Sequence, residues 1–356
     1  MSSRQLFFVY ALALPAFKVA MLPSYLASEV GRDMWISVGV AMIIDVVILA
    51  CIVFIKTRVG VLEYSNGAVK IVSKVIAVLL GLYFLVQTVV LFEEIVAYLL
   101  QSFFDEADRI QIIVPLGVAI AYLAYKGERT LGRLAEIFVC LLLLTIVVSI
   151  AFNNANIDYS NLLPVMDTPL TSLAGVSKSA LWFGDYLPLL FINVRDRKKI
   201  RLGYIFGGAI AIALSVTFVI ATFWAQWGDL TADIPNAFAR LSGYNFISAD
   251  VGKVDWVTIL TWITSCVIKL SLLMLGIRGA IDYVFGKNTS KITLPVSAFL
   301  VVGAIIFFVK DVKDAYTLGT SLWVVGVVMS VVPVIVYLLF SIFGKRSERI
   351  GKNIQE

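Results

Sequence analysis

The 356 residues are 60% hydrophobic and 15% charged, with a net charge of +5 and no histidine. Soluble globular domains carry about 25% charged and about 45–50% apolar residues, so this composition excludes a single soluble core and points to a bilayer. The missing histidine removes the commonest general base and metal ligand. The three cysteines show no CxxC spacing, so no enzyme, disulfide framework, metal site or cofactor site is expected.

A helix needs about 20 apolar residues to cross the hydrocarbon core. The first run, residues 5–27, lacks a basic n-region and an A-x-A site, and reads as a retained helix rather than a signal peptide. Inside it, Pro15 and Pro23 bracket Lys18. Each proline removes a backbone donor and restricts the residue before it, and broken helices are tolerated in lipid only where they line a cavity or are buried in protein. Lys18 therefore sits in a binding site on an unwound segment, or pairs with a structural carboxylate at a proline kink.

The second span, 34–55, carries Asp45 at its centre. In the third, 75–104, Tyr83, Gln87, Glu94, Tyr98 and Gln101 form one polar stripe at helical spacing. That stripe turns Glu94 to the bundle interior and leaves Glu93 about 100° away, toward another helix. Spans 110–125 and 134–152 follow, then an outer loop at 153–177. The sixth span, 178–194, is short and holds Trp182-Phe183-Gly184-Asp185-Tyr186-Leu187-Pro188, a second place where glycine and proline flank a charge. Span 202–227 leads to a second long outer loop, 228–255, anchored by Phe238 and Phe246. Both loops are expected to form short helices on the outer face. In span 256–285, Thr258, Thr261, Ser265 and Lys269 form another stripe. Spans 292–309 and 318–343 and a short basic tail, 344–356, complete the chain. Glu94–Lys269 and Asp45–Lys18 are candidate buried pairs; spacing alone does not assign them.

With the N-terminus inside, most of the 29 basic residues fall on one side. They include Arg4, Lys70, Lys74, Arg133, the 195–201 run, Lys287 and the tail. The opposite loops are acidic, with Asp105, Glu106, Asp158, Asp167 and Asp250. The asymmetry obeys the positive-inside rule, predicts cytoplasmic termini and explains the net charge without nucleic acid. The two interrupted spans lie five spans apart, so the halves are inverted. Paired interruptions in inverted halves mark a transporter-type site at the midplane. The expected architecture is a single all-α membrane domain of about ten transmembrane helices. Its first repeat covers 5–152 and its second 178–343. Half-helix N-termini and Lys18 would favour a small zwitterion such as an amino acid.

Several segments together resemble one family: Ser3-Arg4-Gln5-Leu6-Phe7, Leu22-Pro23, Glu29-Val30-Gly31-Arg32-Asp33-Met34-Trp35, Gly132-Arg133-Leu134-Ala135-Glu136-Ile137, Asn161-Leu162-Leu163-Pro164-Val165 and Phe183-Gly184-Asp185. In order and topological position they are similar to the B subunit of nutrient germinant receptors, the spore germination permease family. That family is related to the amino acid–polyamine–organocation transporters. The resemblance implies a LeuT-like 5+5 inverted-repeat fold with broken helices one and six, in the inner membrane of endospores. It also implies a nutrient ligand, usually an amino acid or sugar, and two partners, a larger membrane A subunit and a lipoprotein C subunit. Carried over residue by residue, it points to Ala16, Phe17, Lys18 and Val19, to Glu93 or Glu94, and to Phe183, Gly184 and Asp185. Lys269 joins them from its stripe. The chain departs from the family in having Ala16-Phe17-Lys18 where glycine is common and Asp185 where glutamate is common. Lys18 then either mimics a bound cation or fills the pocket. A germinant receptor subunit is the leading expectation. An amino acid or cation transporter and a scaffold subunit without a ligand are the alternatives.

Overall fold

The computed structural model describes residues 2–58, 67–104, 107–153, 157–166, 169–192, 202–234, 246–248, 252–253, 255–286, 290–309 and 312–353. The basic run 195–201 and Asp105, Glu106, Asp167, Phe238, Arg240, Asp250, Lys287 and Lys310 lie outside the described residues.

Among the described residues the regular structure is helical apart from a short antiparallel pair, Phe246–Ser248 with Gly252–Lys253. The first span is three pieces, α1 (Ser3–Ala13), α2 (Pro15–Lys18) and α3 (Leu22–Val30). Pro23 cannot donate to the Val19 carbonyl, and the chain leaves the helix over Val19–Met21. Gly31, at φ 71°, ends α3. Then come α4 (Met34–Arg58), α5 (Gly67–Ser102), α6 (Arg109–Lys126) and α7 (Glu128–Asn153). After α8 (Pro169–Lys178), two 3₁₀ turns, Ala180–Trp182 and Leu187–Leu190, flank an extended segment. The remainder is α9 (Leu202–Trp227), α10 (Asp255–Phe285), α11 (Ser290–Phe308), α12 (Val312–Ser321) and α13 (Trp323–Asn353).

Among the described residues, six helical stretches are long and apolar enough to cross a membrane: Leu22–Lys56, Val69–Leu100, Arg109–Lys126, Ile205–Asp233, Val257–Phe285 and Trp323–Phe340. A shorter apolar helix spans Ile292–Phe308. The protein is therefore a multi-pass membrane protein.

Three expectations are corrected. Span six is interrupted as expected but does not begin at residue 178. Its helical lead-in starts at Pro169, inside the expected outer loop, and packs on α3 and α4. The second outer loop begins with the expected short helical turn at Gly228–Asp233, but also contains the strand pair. Span ten turns at Leu322, across which i→i−4 bonding continues (Leu322 N to Leu318 O, 3.1 Å), and α13 runs into the expected tail as far as Asn353.

With no hydrophobic driving force between helices in lipid, close packing and internal hydrogen bonds must hold the bundle. The most extensive pairing is α5 with α10, and small residues make it close. A Cβ on Gly276 would stand 2.9 Å from the Phe84 ring, and one on Gly81 would stand 3.4 Å from Ala280 Cβ. Segments distant in sequence also meet. Arg4 pairs with Glu136 at 3.1 Å. Arg32 donates to the Leu163 carbonyl, and Asp33 accepts from Met166 N at 3.1 Å.

Candidate functional site

The two interruptions face each other. At the first, Lys18 ends α2. At the second, Phe183 is extended and Gly184 adopts φ 80°, a conformation costly for residues with a Cβ. The freed backbone groups find internal partners, as an interruption at membrane depth requires. Asp45 Oδ1 accepts from Gly184 N at 2.9 Å. Gln87 Nε2 donates to the carbonyls of Leu181 (2.8 Å) and Phe183 (3.3 Å). The Ala16 carbonyl accepts from the Trp262 indole and from Cys266 Sγ, the latter at 3.7 Å.

Between the interruptions lies a closed cluster of charge. Lys18 Nζ is in ion contact with Asp185 Oδ2 and is 3.4 Å from Asp45 Oδ2. Lys269 Nζ is 2.8 Å from the other Asp185 oxygen. All four residues are at most 2% exposed. Each lysine also lies over an aromatic ring of an interrupted segment. Lys18 is 4.5 Å from the Phe183 centroid and Lys269 is 5.5 Å from that of Phe17, distances suited to cation–π attraction. Two cations thus balance two carboxylates where an isolated charge would be expensive.

Of the residues singled out from sequence, Phe17, Lys18, Phe183, Gly184, Asp185 and Lys269 come together here. Ala16 contributes its carbonyl, and Val19 is the buried residue that closes α2. Of the two candidate pairs, Asp45–Lys18 forms. Lys269 pairs with Asp185 rather than with Glu94. Glu94 instead accepts from the Trp182 indole at 2.5 Å, and its Oε2 is buried without a hydrogen-bond partner among the described residues. Glu93 stands apart, ion-paired with Arg109 of α6.

Asp45, Gln87, Trp182 and Trp262 were absent from the expected set. Asp45 and Gln87 were visible as polar residues at membrane depth. The two tryptophans, as apolar residues in apolar runs, gave no signal. Among the described residues, no three histidine, cysteine or carboxylate side chains are grouped to hold a metal.

No curated protein matches the chain. A family model described as spore germination protein matches residues 1–315, most of the chain, and the chain belongs to that spore permease family.

Proposed function

We propose that this chain is the permease-like B subunit of a nutrient germinant receptor, embedded in the inner membrane of the endospore with both termini cytoplasmic. It binds a small nutrient, an amino acid, between the two interruptions and signals through a membrane A subunit and a lipoprotein C subunit. It performs no chemistry on its ligand. The observation that carries this reading is the Lys18–Asp185 ion pair, which joins the two interrupted segments at full burial.

The ten-span reading groups α1–α3 as span one and α4 to α7 as spans two to five. Residues 169–192 then form span six, α9, α10 and α11 spans seven to nine, and α12 with α13 span ten. The single domain then divides into inverted repeats, now 5–152 and about 169–343. The interruptions in the first element of each half support this grouping.

A zwitterion carries the same pair of charges as the cluster. Its carboxylate can take one lysine while its ammonium takes the released aspartate, leaving the buried charge unchanged. Glu94 Oε2 adds an acceptor with no partner among the described residues. Such an exchange breaks the tie between the interrupted segments, so a ligand with higher affinity for the untied state shifts the protein toward it.

A second reading, an amino acid or cation transporter of the related superfamily, draws on the same feature, since the Lys18 ammonium lies where a coupling cation would bridge the interruptions. Spores lacking the chain, rescued with wild type or Lys18→Ala and exposed to single amino acids and sugars, test the first reading. Loss of response to one nutrient, with the variant protein still present in the spore, supports a sensing site. A full response from Lys18→Ala and Asp185→Asn rules this site out. Uptake of the same nutrient by wild-type protein in liposomes would favour transport.

A further inference from the structure

Away from this cluster, two cavities open side by side at one end of the bundle. The first, about 570 Å³, lies among the N-terminal ends of α5 and α7 and the C-terminal end of α10. Lys70, Lys74 and Arg278 line it, together with Glu128, Asp282 and Tyr283. Arg278 is partnered by Asp282 at 3.3 Å. Neither Lys70 nor Lys74 pairs with a carboxylate among the described residues. Among the described residues, three cations against two carboxylates leave the chamber net positive.

The second cavity, about 560 Å³, is a nearly pure apolar groove between α5, α10 and α11. It begins one helical turn beyond Lys74, at Ala77 and Val78, shares Phe285 with the charged chamber, and continues past Gly81 and Ala280 to Leu300. Val78, Val296 and Leu300 on its walls are about half exposed, so the groove opens to the bilayer rather than into the core.

We infer that the two cavities together form a site for one anionic phospholipid, its phosphate headgroup in the Lys70/Lys74/Arg278 chamber and an acyl chain in the groove. The chamber is polar and sits at helix ends, where a headgroup lies. The groove is apolar and runs along helices, where an acyl chain lies. Basic pockets between transmembrane helices attract anionic headgroups electrostatically. A free anion would account for the chamber and leave the groove without an occupant. A partner's apolar helix would fill the groove and leave the lysines without a counter-charge. Because Phe191, at the end of the second interrupted segment, is part of the chamber wall, the occupant touches the element that the proposed signalling moves.

The test uses the full chain in detergent, stripped of lipid and titrated with dioleoyl phosphatidylglycerol, dioleoyl phosphatidylcholine or inorganic phosphate, with bound lipid read by native mass spectrometry. At low salt the anionic lipid should bind about tenfold more tightly than the zwitterionic one. Lys70→Gln/Lys74→Gln, which leaves the Arg278–Asp282 pair in place, should erase that preference, and Lys70→Arg/Lys74→Arg should keep it. Val296→Trp, which fills the groove from its bilayer side, should weaken both lipids alike. Equal affinity of the wild type for the two lipids, or a preference that survives in the glutamine variant, overturns the site. So does competition by inorganic phosphate that matches the lipid and ignores Val296→Trp, since the ligand would then be a free anion. Lipid binding untouched by Val296→Trp would leave the groove to a partner's helix and likewise overturn it.

Discussion

Lys18 and Asp185, far apart in the chain, are joined by a fully buried ion pair that links the two interruptions of the fold. Asp45 and Lys269 complete it, so removing one member leaves an odd charge where no water reaches. Lys18→Met is expected to cost about 3–5 kcal/mol for that reason. Adding Asp45→Asn restores the balance, keeps an acceptor for Gly184 N, and should recover at least about 1 kcal/mol. Unfolding in mixed micelles of the two single variants and the double variant measures this. Simple additivity would mean that the four groups do not act as one unit.

Gly184 carries two separate constraints. Its φ of 80° is unfavourable for any other residue, and a Cβ there would meet Ser330 Oγ at 2.9 Å and Leu187 Cδ1 at 3.2 Å. Gly286 shares only the first, with φ 66° and, among the described residues, nothing within 4 Å of an added Cβ. Gly286→Ala should therefore cost about 1–2 kcal/mol and Gly184→Ala clearly more. Ser330→Ala in the Gly184→Ala background should return part of the excess. Equal losses at both glycines would show that the contact with Ser330 carries no weight.

How much of this was legible from sequence depended on whether the signal was local. Pro15, Pro23, Gly184 and Pro188 act on their own backbone, so both interruptions could be read directly, and the uniformly apolar α9 matched its expected ends. Span six was placed too late because the residues ahead of Lys178, from Pro164 through Thr171 and Ser172, are polar or turn-forming. Their helix is held by packing on α3 and α4 rather than by its own hydropathy. The polar stripes correctly turned Glu94 and Lys269 inward, but a stripe defines a face and not a partner. Lys269 reaches Asp185 because the extended Phe183–Gly184 segment brings that carboxylate between two helices, a tertiary fact invisible in either stripe. The recurring segments were legible as a set, and the structure gives a physical reason for two of them: Arg4 meets Glu136, and Arg32-Asp33 meets Leu163 and Met166.

Glu93 and Glu94 are neighbours in sequence with different surroundings, and their variants should separate. Arg109→Leu removes the cation of the Glu93 ion pair and should destabilise the protein by about 3 kcal/mol or more, while Glu93→Leu/Arg109→Leu, which removes both charges, should be far milder. Spores carrying the double variant should keep their nutrient preference, because Glu93 does not touch the central cluster. A changed preference in a stably folded double variant would return Glu93 to the ligand set.

Glu94 has two tasks that different substitutions can divide. One oxygen accepts from the Trp182 indole, which fixes the tryptophan next to the second interruption; the other is buried without a partner among the described residues. Glu94→Gln keeps an acceptor for the indole and should leave stability within about 1 kcal/mol of wild type, whereas Glu94→Leu removes the carboxylate acceptor of the indole N–H and should cost about 1–3 kcal/mol. If the second oxygen receives the ligand's ammonium, Glu94→Gln spores should need a higher nutrient concentration for the same response, because an amide whose oxygen still accepts from the indole presents its NH2, a donor, where that acceptor stood. The shift should be at least about tenfold, the usual order for a hydrogen bond to a charged group. It should appear for amino acids and be absent for neutral sugars. An unchanged dose response in Glu94→Gln, with Glu94→Leu impaired only through lost protein, would assign the residue to the support of Trp182 alone.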